Sequence, residues 1–448
     1  MLGLLLPRHH GRAQGRRPRP APRRLRGGDR PDQPQLPAGL HPRLRGRDRP
    51  RGLPLRKPAG QERLRLRHVL RRGVRARTRA EDRAACSFCP KLCRHACPAA
   101  QAEASEAATP TFKQQVALRA LERGEALDTG QARVLYKCTD CRGTVDACRH
   151  RISVAESLRE ARALAVQRGV APREVHELAR RVREHGSPYA RDLEAVARGV
   201  APEAHARRGA LGVFPACAEL ARAPEDLARA LALLRAAGAA PSLASPGRCC
   251  GYPLDAAGLR EDFERHAAGT AHALAAFDEV LATGPSCAYT LAVRYRELGL
   301  RPPGRVLPLV VRLAAAADRW RGLAPAEAWS RRAAYHDPCF LARRLGRLRE
   351  PRELLSAATG RPPLELAYRE AETRCSGGGG VYPLTHPAAA ARCGAAVLEL
   401  AREAEADVLV TACPAARWRL ARARRPGDPE VRSLVSVLAE RTGLASPD

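Results

Sequence analysis

The chain has 448 residues, of which 45% are hydrophobic and 4% aromatic, and its formal net charge is +31 at pH 7. This length predicts two to four domains with buried cores. No apolar stretch reaches the roughly 18 residues that a transmembrane helix requires. Fifteen cysteines without a recognisable export signal point to a reducing cytoplasm, where clustered thiols bind metal more often than they form disulfides. A secreted disulfide scaffold is therefore excluded.

The positive charge is concentrated at the start of the chain. Residues 1–80 carry 23 arginines and one lysine against four acidic side chains, which accounts for +20 of the total charge. This Arg/Pro-rich segment has no sustained hydrophobic period and is expected to be disordered. The alternative is a coding start assigned too far upstream, because Met1 is the only methionine. A basic arm binds phosphates without specificity, so we expect no specific nucleic-acid partner.

The next segment, residues 81–98, is dense in cysteine and contains the pattern Cys86-x2-Cys89-x3-Cys93-x3-Cys97-Pro98. It differs by one inserted residue from the ferredoxin pattern C-x2-C-x2-C-x3-C-P. Thiolates are soft ligands that suit iron–sulfur clusters and zinc. Zinc is the alternative, but zinc sites usually use two separated pairs of ligands and need no trailing proline. The pattern therefore predicts an iron–sulfur site.

A second group, Cys138-x2-Cys141-x6-Cys148, follows a mostly helical connector, and Thr144 stands where a third cysteine is expected. In two-cluster ferredoxins the fourth cysteine of a motif binds the other cluster. Crossing of this kind predicts a complete first ligand set for one [4Fe–4S] cluster, made of Cys86, Cys89, Cys93 and Cys148. It leaves a second ligand set of three thiolates, made of Cys97, Cys138 and Cys141.

Three thiolates suit a [3Fe–4S] cluster, a [4Fe–4S] cluster with an exogenous or hydroxyl ligand, or a vestigial empty site. His150 is close enough in sequence to substitute for the missing ligand. A solvent-exposed basic residue beside a cluster is the simpler interpretation of His150.

Polar helices are expected over residues 153–207, broken near Gly169, Pro172 and Gly186. From residue 208 onward short apolar runs alternate with Ala-rich helical stretches, which indicates α/β layering with parallel strands. The predicted strands are Leu211–Phe214, Val280–Thr283, Val306–Val311, Ala333–His336 and Val408–Thr411.

This C-terminal part contains an internal repeat. Cys217 is followed after 31 residues by the Cys249–Cys250 pair, and after 36 more by Cys287. In the second half Cys339 is followed after 35 residues by Cys375–Ser376, and after 36 more by Cys413. Unrelated structural cysteines would not keep the 36-residue gap twice, so the sequence predicts a duplication.

The combination of motifs resembles the proteins similar to the D subunit of heterodisulfide reductase, a group that includes glycolate oxidase iron–sulfur subunits and related lactate-utilisation proteins. The resemblance covers about residues 81–440. It is carried by the phrases CCGYPL (249–254), HDPCFLARRLGRLREPRELL (336–355), CSGGGG (375–380) and VTACP (410–414).

The resemblance implies that each repeat holds a further cluster, sometimes non-cubane, through a lone cysteine, a cysteine pair and a closing C-x-x-C. In the first repeat it assigns four thiols, Cys217, Cys249, Cys250 and Cys287, with Thr290 at the closing cysteine. In the second repeat it assigns three thiols, Cys339, Cys375 and Cys413, with Ser376 and Ala416 in place of cysteines. Neither repeat has the full ligand set, so a further cluster or metal in these domains is expected less firmly than the first [4Fe–4S] cluster.

Other residues have structural interpretations. Gly377–Gly380 is not followed by the Lys-Ser/Thr pair that marks a phosphate-binding loop. We therefore expect the glycines to let the backbone approach a metal site closely. His336 and Asp337 are expected to orient Cys339, with acid–base catalysis as the alternative. Cys393 lies outside both repeats and is interpreted as a small buried apolar residue.

The predicted fold is α + α/β: a helical two-cluster ferredoxin-like domain followed by a duplicated α/β cysteine-rich (CCG) domain. The domain boundaries are 1–80 (basic segment), 81–155 (ferredoxin-type domain), 156–207 (helical linker), 208–325 (first repeat) and 326–448 (second repeat).

The resemblance implies electron transfer between a flavoprotein dehydrogenase or oxidase, or an electron-transfer flavoprotein, and a downstream acceptor in the cytoplasm. The chain has no dinucleotide fingerprint of its own, so substrate chemistry is assigned to that partner. Two alternatives stay open: reduction of a disulfide with Cys249 and Cys250 as catalytic residues, and a zinc protein that contacts nucleic acid. Peripheral membrane contact stays open as well.

Overall fold

The computed structural model describes residues 77–206, 209–301 and 304–444. The first helix of the described residues begins at Arg79, where the Thr78 hydroxyl accepts from the Glu81 amide and the Glu81 carboxylate accepts from the Thr78 amide. This reciprocal capping box fixes the start of the helix two residues before the predicted domain boundary. The basic N-terminal segment, predicted to be disordered, lies outside the described residues as far as residue 76.

The described residues ahead of position 207 form helices and no strand. They are α1 (Arg79–Ser87), α2 (Pro98–Glu103), α3 (Pro110–Glu122), α4 (Thr129–Leu135), α5 (Val154–Gln167), α6 (Arg173–His185), α7 (Leu193–Val200) and α8 (Pro202–Ala206). Pro98 and Pro110 each stand in the first turn of a helix, where the missing amide proton costs nothing. Helices α3 and α5 share one apolar core, so the segment predicted as a linker packs against the segment predicted as a ferredoxin-type domain.

The first repeat is a layered α/β unit. Its elements are β1 (Leu211–Phe214), α9 (Cys217–Arg222), α10 (Glu225–Ala236), β2 (Ser242–Leu243), α11 (Tyr252–Ala257), α12 (Arg260–Leu274), β3 (Glu279–Ala282), α13 (Pro285–Tyr289), α14 (Tyr295–Glu297), β4 (Arg305–Pro308), α15 (Leu309–Ala314) and α16 (Ala317–Leu323). A π-helical turn over Thr290–Arg294 joins α13 to α14.

The second repeat has the same layering. Its elements are β5 (Ala333–His336), α17 (Arg349–Thr359), β6 (Leu364–Glu365), α18 (Tyr382–Thr385), α19 (Pro387–Glu403), β7 (Val408–Thr411), α20 (Pro414–Ala423), β8 (Glu430–Ser433) and α21 (Leu434–Arg441). A π-helical turn over Phe340–Arg344 follows Cys339 directly. Turns of this type occur preferentially at functional sites.

The two sheets confirm the predicted duplication. Each has four parallel strands, in the order β2-β1-β3-β4 in the first repeat and β6-β5-β7-β8 in the second. Strand β1 pairs with β3 from Leu211 opposite Glu279 to Phe214 opposite Ala282, and β5 pairs with β7 over the same length. Because parallel strands end at the same edge, the residues that follow β1, β3, β5 and β7 are brought to one side of each sheet.

One predicted strand is partly wrong. The run Val306–Val311 was expected to be extended throughout, but β4 ends at Pro308 and α15 begins at Leu309. Leu309, Val310 and Leu313 are buried with helical spacing in α15, and this packing decides the conformation of an apolar run too short to specify it alone. The described residues contain no helix that is both long and apolar enough to cross a membrane.

Candidate functional site

The first ligand set lies at the end of α1 and in the loops after it. Cys93, Cys148 and Cys89 all lie close enough to Cys86 to affect its ionisation, so Cys148 joins the other three although it comes from the second motif. Burial and these neighbouring thiols raise the pKa of Cys86 to about 12 and that of Cys93 to about 11. Such thiols ionise when a metal binds them. His150 is exposed.

The second ligand set lies deeper in the molecule. Cys97 is 5% exposed and Cys141 is 7% exposed, and both line a small cavity that also contains Cys138 and Thr144. The Asp140 amide donates to the Cys138 sulfur and the Gly143 amide donates to the Cys141 sulfur, each at 3.4 Å. Amides that donate to sulfur stabilise the thiolate form and tune the potential of a bound cluster.

Lys113 is a buried cation beside this set. Its side chain is on α3, the residue is 1% exposed, and its Nζ lies 3.6 Å from the Cys97 sulfur. The same ammonium donates to the carbonyl oxygen of Lys137 at 2.7 Å. A buried cation needs a compensating negative charge, and the thiolates of the second ligand set would supply it.

Asp140, between Cys138 and Cys141, connects the helical segment to both repeats. Its carboxylate pairs with Arg344 at 2.6 Å and accepts from the Tyr252 hydroxyl at 3.0 Å. That hydroxyl also accepts from the Gly380 amide at 2.8 Å. Burial raises the pKa of Asp140, but the Arg344 and Arg159 guanidiniums outweigh this effect and hold the pKa below its usual value. The loop of the second ligand set is therefore held by both repeats. Tyr252 follows CCG in the first repeat, and Arg344 and Gly380 lie in the HDPC and Gly-rich motifs of the second.

The four thiols of the first repeat converge. The Cys217 sulfur lies 3.7 Å from the Cys249 sulfur, and the Cys250 thiol lies between those of Cys249 and Cys287. Interaction with these two neighbours lowers the pKa of Cys250, and neighbouring thiols together with burial raise the pKa of Cys249 and Cys287. Thr290, at the position of the closing cysteine, is fully buried, and its hydroxyl has no hydrogen-bond partner in the part of the chain that the structure describes.

The three thiols of the second repeat line one cavity. The Cys375 thiol lies beside that of Cys339 and, on its other side, beside that of Cys141 of the second ligand set. Cys413 lies within electrostatic range of Cys287 in the first repeat. The resemblance assigns Cys339, Cys375 and Cys413 to one group. Ser376 is buried and lines the cavity described next.

A cavity of about 340 Å³ lies between the two repeats. The four first-repeat thiols line it together with Cys339, Cys375 and Cys413. Its rim carries Trp418, with the guanidinium of Arg222 at 4.4 Å and that of Arg419 at 4.9 Å from the ring centroid. Among the described residues, neither arginine has a carboxylate within ion-pairing distance, and the Arg419 Nε is buried without a hydrogen-bond partner.

His336 and Asp337 have structural contacts. The imidazole of His336 is buried, with Nδ1 3.3 Å from the Thr411 hydroxyl and Nε2 3.0 Å from the carbonyl oxygen of Arg374, next to Cys375. Asp337 makes a bidentate ion pair with Arg352 at 2.8 Å. Both contacts agree with the interpretation that these residues orient the cysteine loops.

Sequence reasoning did not identify the residues that join the parts of the site, namely Lys113, Asp140, Tyr252, Arg343 and Arg344. Asp140 and Tyr252 carried a usable signal, since each lies inside or directly after a cysteine motif. The two arginines end the phrase HDPCFLARR, and the Arg343 guanidinium donates to the Cys141 carbonyl oxygen at 3.0 Å. Lys113 carried none, because a lysine on a helix is ordinarily solvent-exposed.

The donor set fits iron–sulfur clusters. All fifteen cysteines lie in the described residues and are free thiols. Within those residues no three His, Cys, Asp or Glu side chains converge tightly enough to hold a single metal ion. A zinc ion bonds directly to all its ligands, whereas the bridging sulfides of a cluster let its cysteines stand farther apart. The sulfur-only ligand sets and the amide contacts to sulfur agree with clusters.

Comparison with known proteins supports iron–sulfur binding. The family model described as a cysteine-rich domain, CCG, matches residues 211–292 and 333–420, one copy in each repeat. The chain is 27% identical over 327 residues to the B subunit of fumarate reductase (CoM/CoB) from Methanothermobacter marburgensis, which covers 72% of this chain and 64% of that one. It is 27% identical over 345 residues to an uncharacterized iron–sulfur protein from Methanocaldococcus jannaschii, covering 73% of this chain and 65% of that one.

A shorter match involves a third relative. The chain is 33% identical over 114 residues to the D subunit of dihydromethanophenazine:CoB–CoM heterodisulfide reductase from Methanosarcina barkeri, covering 25% of this chain and 28% of that one. The first two matches each span somewhat less than two thirds of the relative's length. The chain thus carries two CCG cysteine-rich domains, and its resemblance to the iron–sulfur proteins related to the D subunit of heterodisulfide reductase is confirmed.

Proposed function

We propose that this chain is an iron–sulfur electron-transfer subunit that works between a flavoprotein and a downstream acceptor. The observation that carries the proposal is the continuity of thiols from the first ligand set to the inter-repeat cavity. Cys93 lies within electrostatic range of Cys97, the Cys141 thiol lies beside that of Cys375, and the Cys375 thiol lies beside that of Cys339 at the cavity wall. Clusters held by these thiolates supply one-electron oxidation and reduction.

The protein's own contribution is to set the electrostatic environment of these thiolates. Lys113 places a positive charge beside Cys97, and the amides of Asp140, Gly143, Gly251 and Gly377 each donate to a cysteine sulfur at 3.4 Å. Positive charge and amide donors both favour the more negative, reduced state of a centre. Burial of the second ligand set opposes them by disfavouring added charge.

The proposed entry point for electrons is the first ligand set, which lies closest to the surface. Phe88 is 80% exposed and Leu92 is 66% exposed, and both lie between its cysteines. Apolar side chains that stand out beside a redox centre suit transient contact with a partner. We therefore propose that the flavoprotein docks here. A cytoplasmic location follows from the number of free thiols that must stay reduced.

Removal of Cys148 tests the crossed ligand sets. We expect Cys148→Ala to lose about one iron or more per chain from the first cluster and to keep the cluster of the second ligand set, because Cys148 belongs with Cys86, Cys89 and Cys93. Iron content and EPR spectra of the full chain, purified without oxygen, measure this loss. Cys413→Ala is the matched control and should leave the first cluster's signal unchanged. Loss of only the second cluster's signal in Cys148→Ala would contradict the crossing.

A second candidate function is supported by the inter-repeat cavity. It is the reduction of a small anionic disulfide, in which two electrons and two protons convert one disulfide to two thiols at Cys249 and Cys250. The cavity combines convergent thiols with two arginines that have no acidic partner among the described residues, and such arginines bind carboxylate groups.

This candidate predicts that reduction of dithiodiglycolate by viologen-supplied electrons is abolished by Cys250→Ser. Arg222→Gln should raise KM about tenfold with little change in kcat, because a charged hydrogen bond to the bound carboxylate is lost. Arg181→Gln, on the same cavity but paired with Glu177, is the control. No disulfide reduction by the unmodified full chain would leave electron transfer as the only function.

A further inference from the structure

Cys393 is a small buried residue in an apolar cluster, and it lies beside the second ligand set. It is on α19, is 4% exposed, and its sulfur lies 3.5 Å from the carbonyl oxygen of Pro98. Pro98 directly follows Cys97, a member of the second ligand set. Helix α19 of the second repeat therefore places a thiol next to the residue that follows Cys97.

The surroundings of Cys393 hold it in this place. Cys97 and Cys393 belong to one buried cluster, in which α2 packs against α18 and α19. Burial, together with the nearby Cys141 and Cys97 thiols, raises the pKa of Cys393 to about 12. Cys393 is thus within electrostatic range of two of the three thiols in the second ligand set.

That set lacks one ligand. Thr144 occupies the position of the missing cysteine, is 8% exposed, and lines the same small cavity as Cys97, Cys138 and Cys141. A threonine hydroxyl is a poor ligand for iron compared with a thiolate. Three thiolates and a fourth thiol nearby supply the four cysteine ligands that a complete [4Fe–4S] cluster requires.

Cys375 is the competing thiol, since it lies beside Cys141. Cys375 also lies beside Cys339 and accepts from the Gly377 amide, so we assign it to the second repeat. Among the described residues, the hydrogen bond that Cys393 makes is the weak one to the Pro98 carbonyl oxygen, and Cys393 lies outside the repeated cysteine pattern.

We propose that Cys393 is the fourth thiolate of the second ligand set, replacing the cysteine absent at Thr144 and completing a [4Fe–4S] site that spans the helical segment and the second repeat. This inference rests on the proposed iron–sulfur function. It also makes the second repeat part of the ferredoxin-type site.

The test compares three forms of the full chain, purified without oxygen. The unmodified chain should show no [3Fe–4S] signal when oxidised gently, and Cys393→Ala should lose about one iron per chain and gain that signal. Adding Thr144→Cys to Cys393→Ala should restore the iron and remove the signal. Val397→Ala, which shortens a buried side chain of the same helix, should leave the second cluster unchanged.

The outcomes separate the two proposals. A [3Fe–4S] signal already present in the unmodified chain, or unchanged iron and EPR spectra in Cys393→Ala, would overturn the role of Cys393 and leave the proposed function standing. Bound zinc without iron or sulfide in the unmodified chain would overturn both. Rescue by Thr144→Cys also shows that the Cys393→Ala chain is folded, because an unfolded chain could not be repaired at a position on a different element.

Discussion

Replacement of Arg344 by glutamine is expected to lower the free energy of unfolding by about 3–5 kcal/mol. The Arg344 side chain is 1% exposed and pairs with Asp140 at 2.6 Å and with Glu156 at 2.9 Å. Its guanidinium also lies 4.8 Å from the centroid of the Phe340 ring. Glutamine would leave the buried Asp140 carboxylate without its main counter-charge. Urea unfolding of the full chain measures the loss.

The matched control is Arg349→Gln, five residues further along. Arg349 pairs with Glu353 at 3.2 Å, but its side chain is 87% exposed, so we expect a change within about 0.5 kcal/mol. Adding Asp140→Asn to Arg344→Gln should recover part of the stability, because no unpaired buried carboxylate then remains. Equal unfolding midpoints for Arg344→Gln and Arg349→Gln would contradict the assignment of Arg344 as the ion that joins the repeats to the cysteine loop.

Replacement of Gly379 by alanine is expected to destabilise the fold by about 1–3 kcal/mol and to lower the iron bound by the second ligand set. A Cβ atom at this position would lie 2.2 Å from the carbonyl oxygen of Thr139, which is backbone and cannot move aside alone. The substitution would therefore push the Gly-rich loop away from the Cys138–Cys141 loop. Thermal unfolding and iron analysis of the same preparation measure both effects.

Gly322→Ala provides the control for this substitution. Gly322 lies in α16, and a Cβ there would meet no atom within 4 Å. Alanine in a helix should leave stability unchanged or raise it by up to about 1 kcal/mol. If Gly379→Ala kept its iron and its unfolding temperature, the close contact between the two loops would not support the site.

Much of the fold could be predicted because its signals are local. Strands β1, β5 and β7 have the predicted bounds, and β3 is shifted by one residue. The strands that were missed are the outer ones: β2 and β6 have two residues each, and β8 (Glu430–Ser433) is polar at alternate positions. Edge strands such as these lack the continuous apolar run that marks a strand buried on both faces.

The site was harder to predict because its contacts join distant parts of the chain. The cysteine spacings indicated which thiols to consider, but not that Cys141 would meet Cys375 or that Cys413 would lie near Cys287. Asp140 and Arg344 are 204 residues apart in sequence. Contacts of this kind depend on how the helical segment packs against the two repeats, which no local pattern encodes.

Iron and acid-labile sulfide per chain, measured together with zinc on the full protein purified without oxygen, test the central claim most directly. The proposed function predicts about seven to eight irons and about eight sulfides from the two ligand sets, with EPR signals that change between the oxidised and reduced forms. A higher count would add the first-repeat thiols as a further site. Stoichiometric zinc with no labile sulfide would contradict the account.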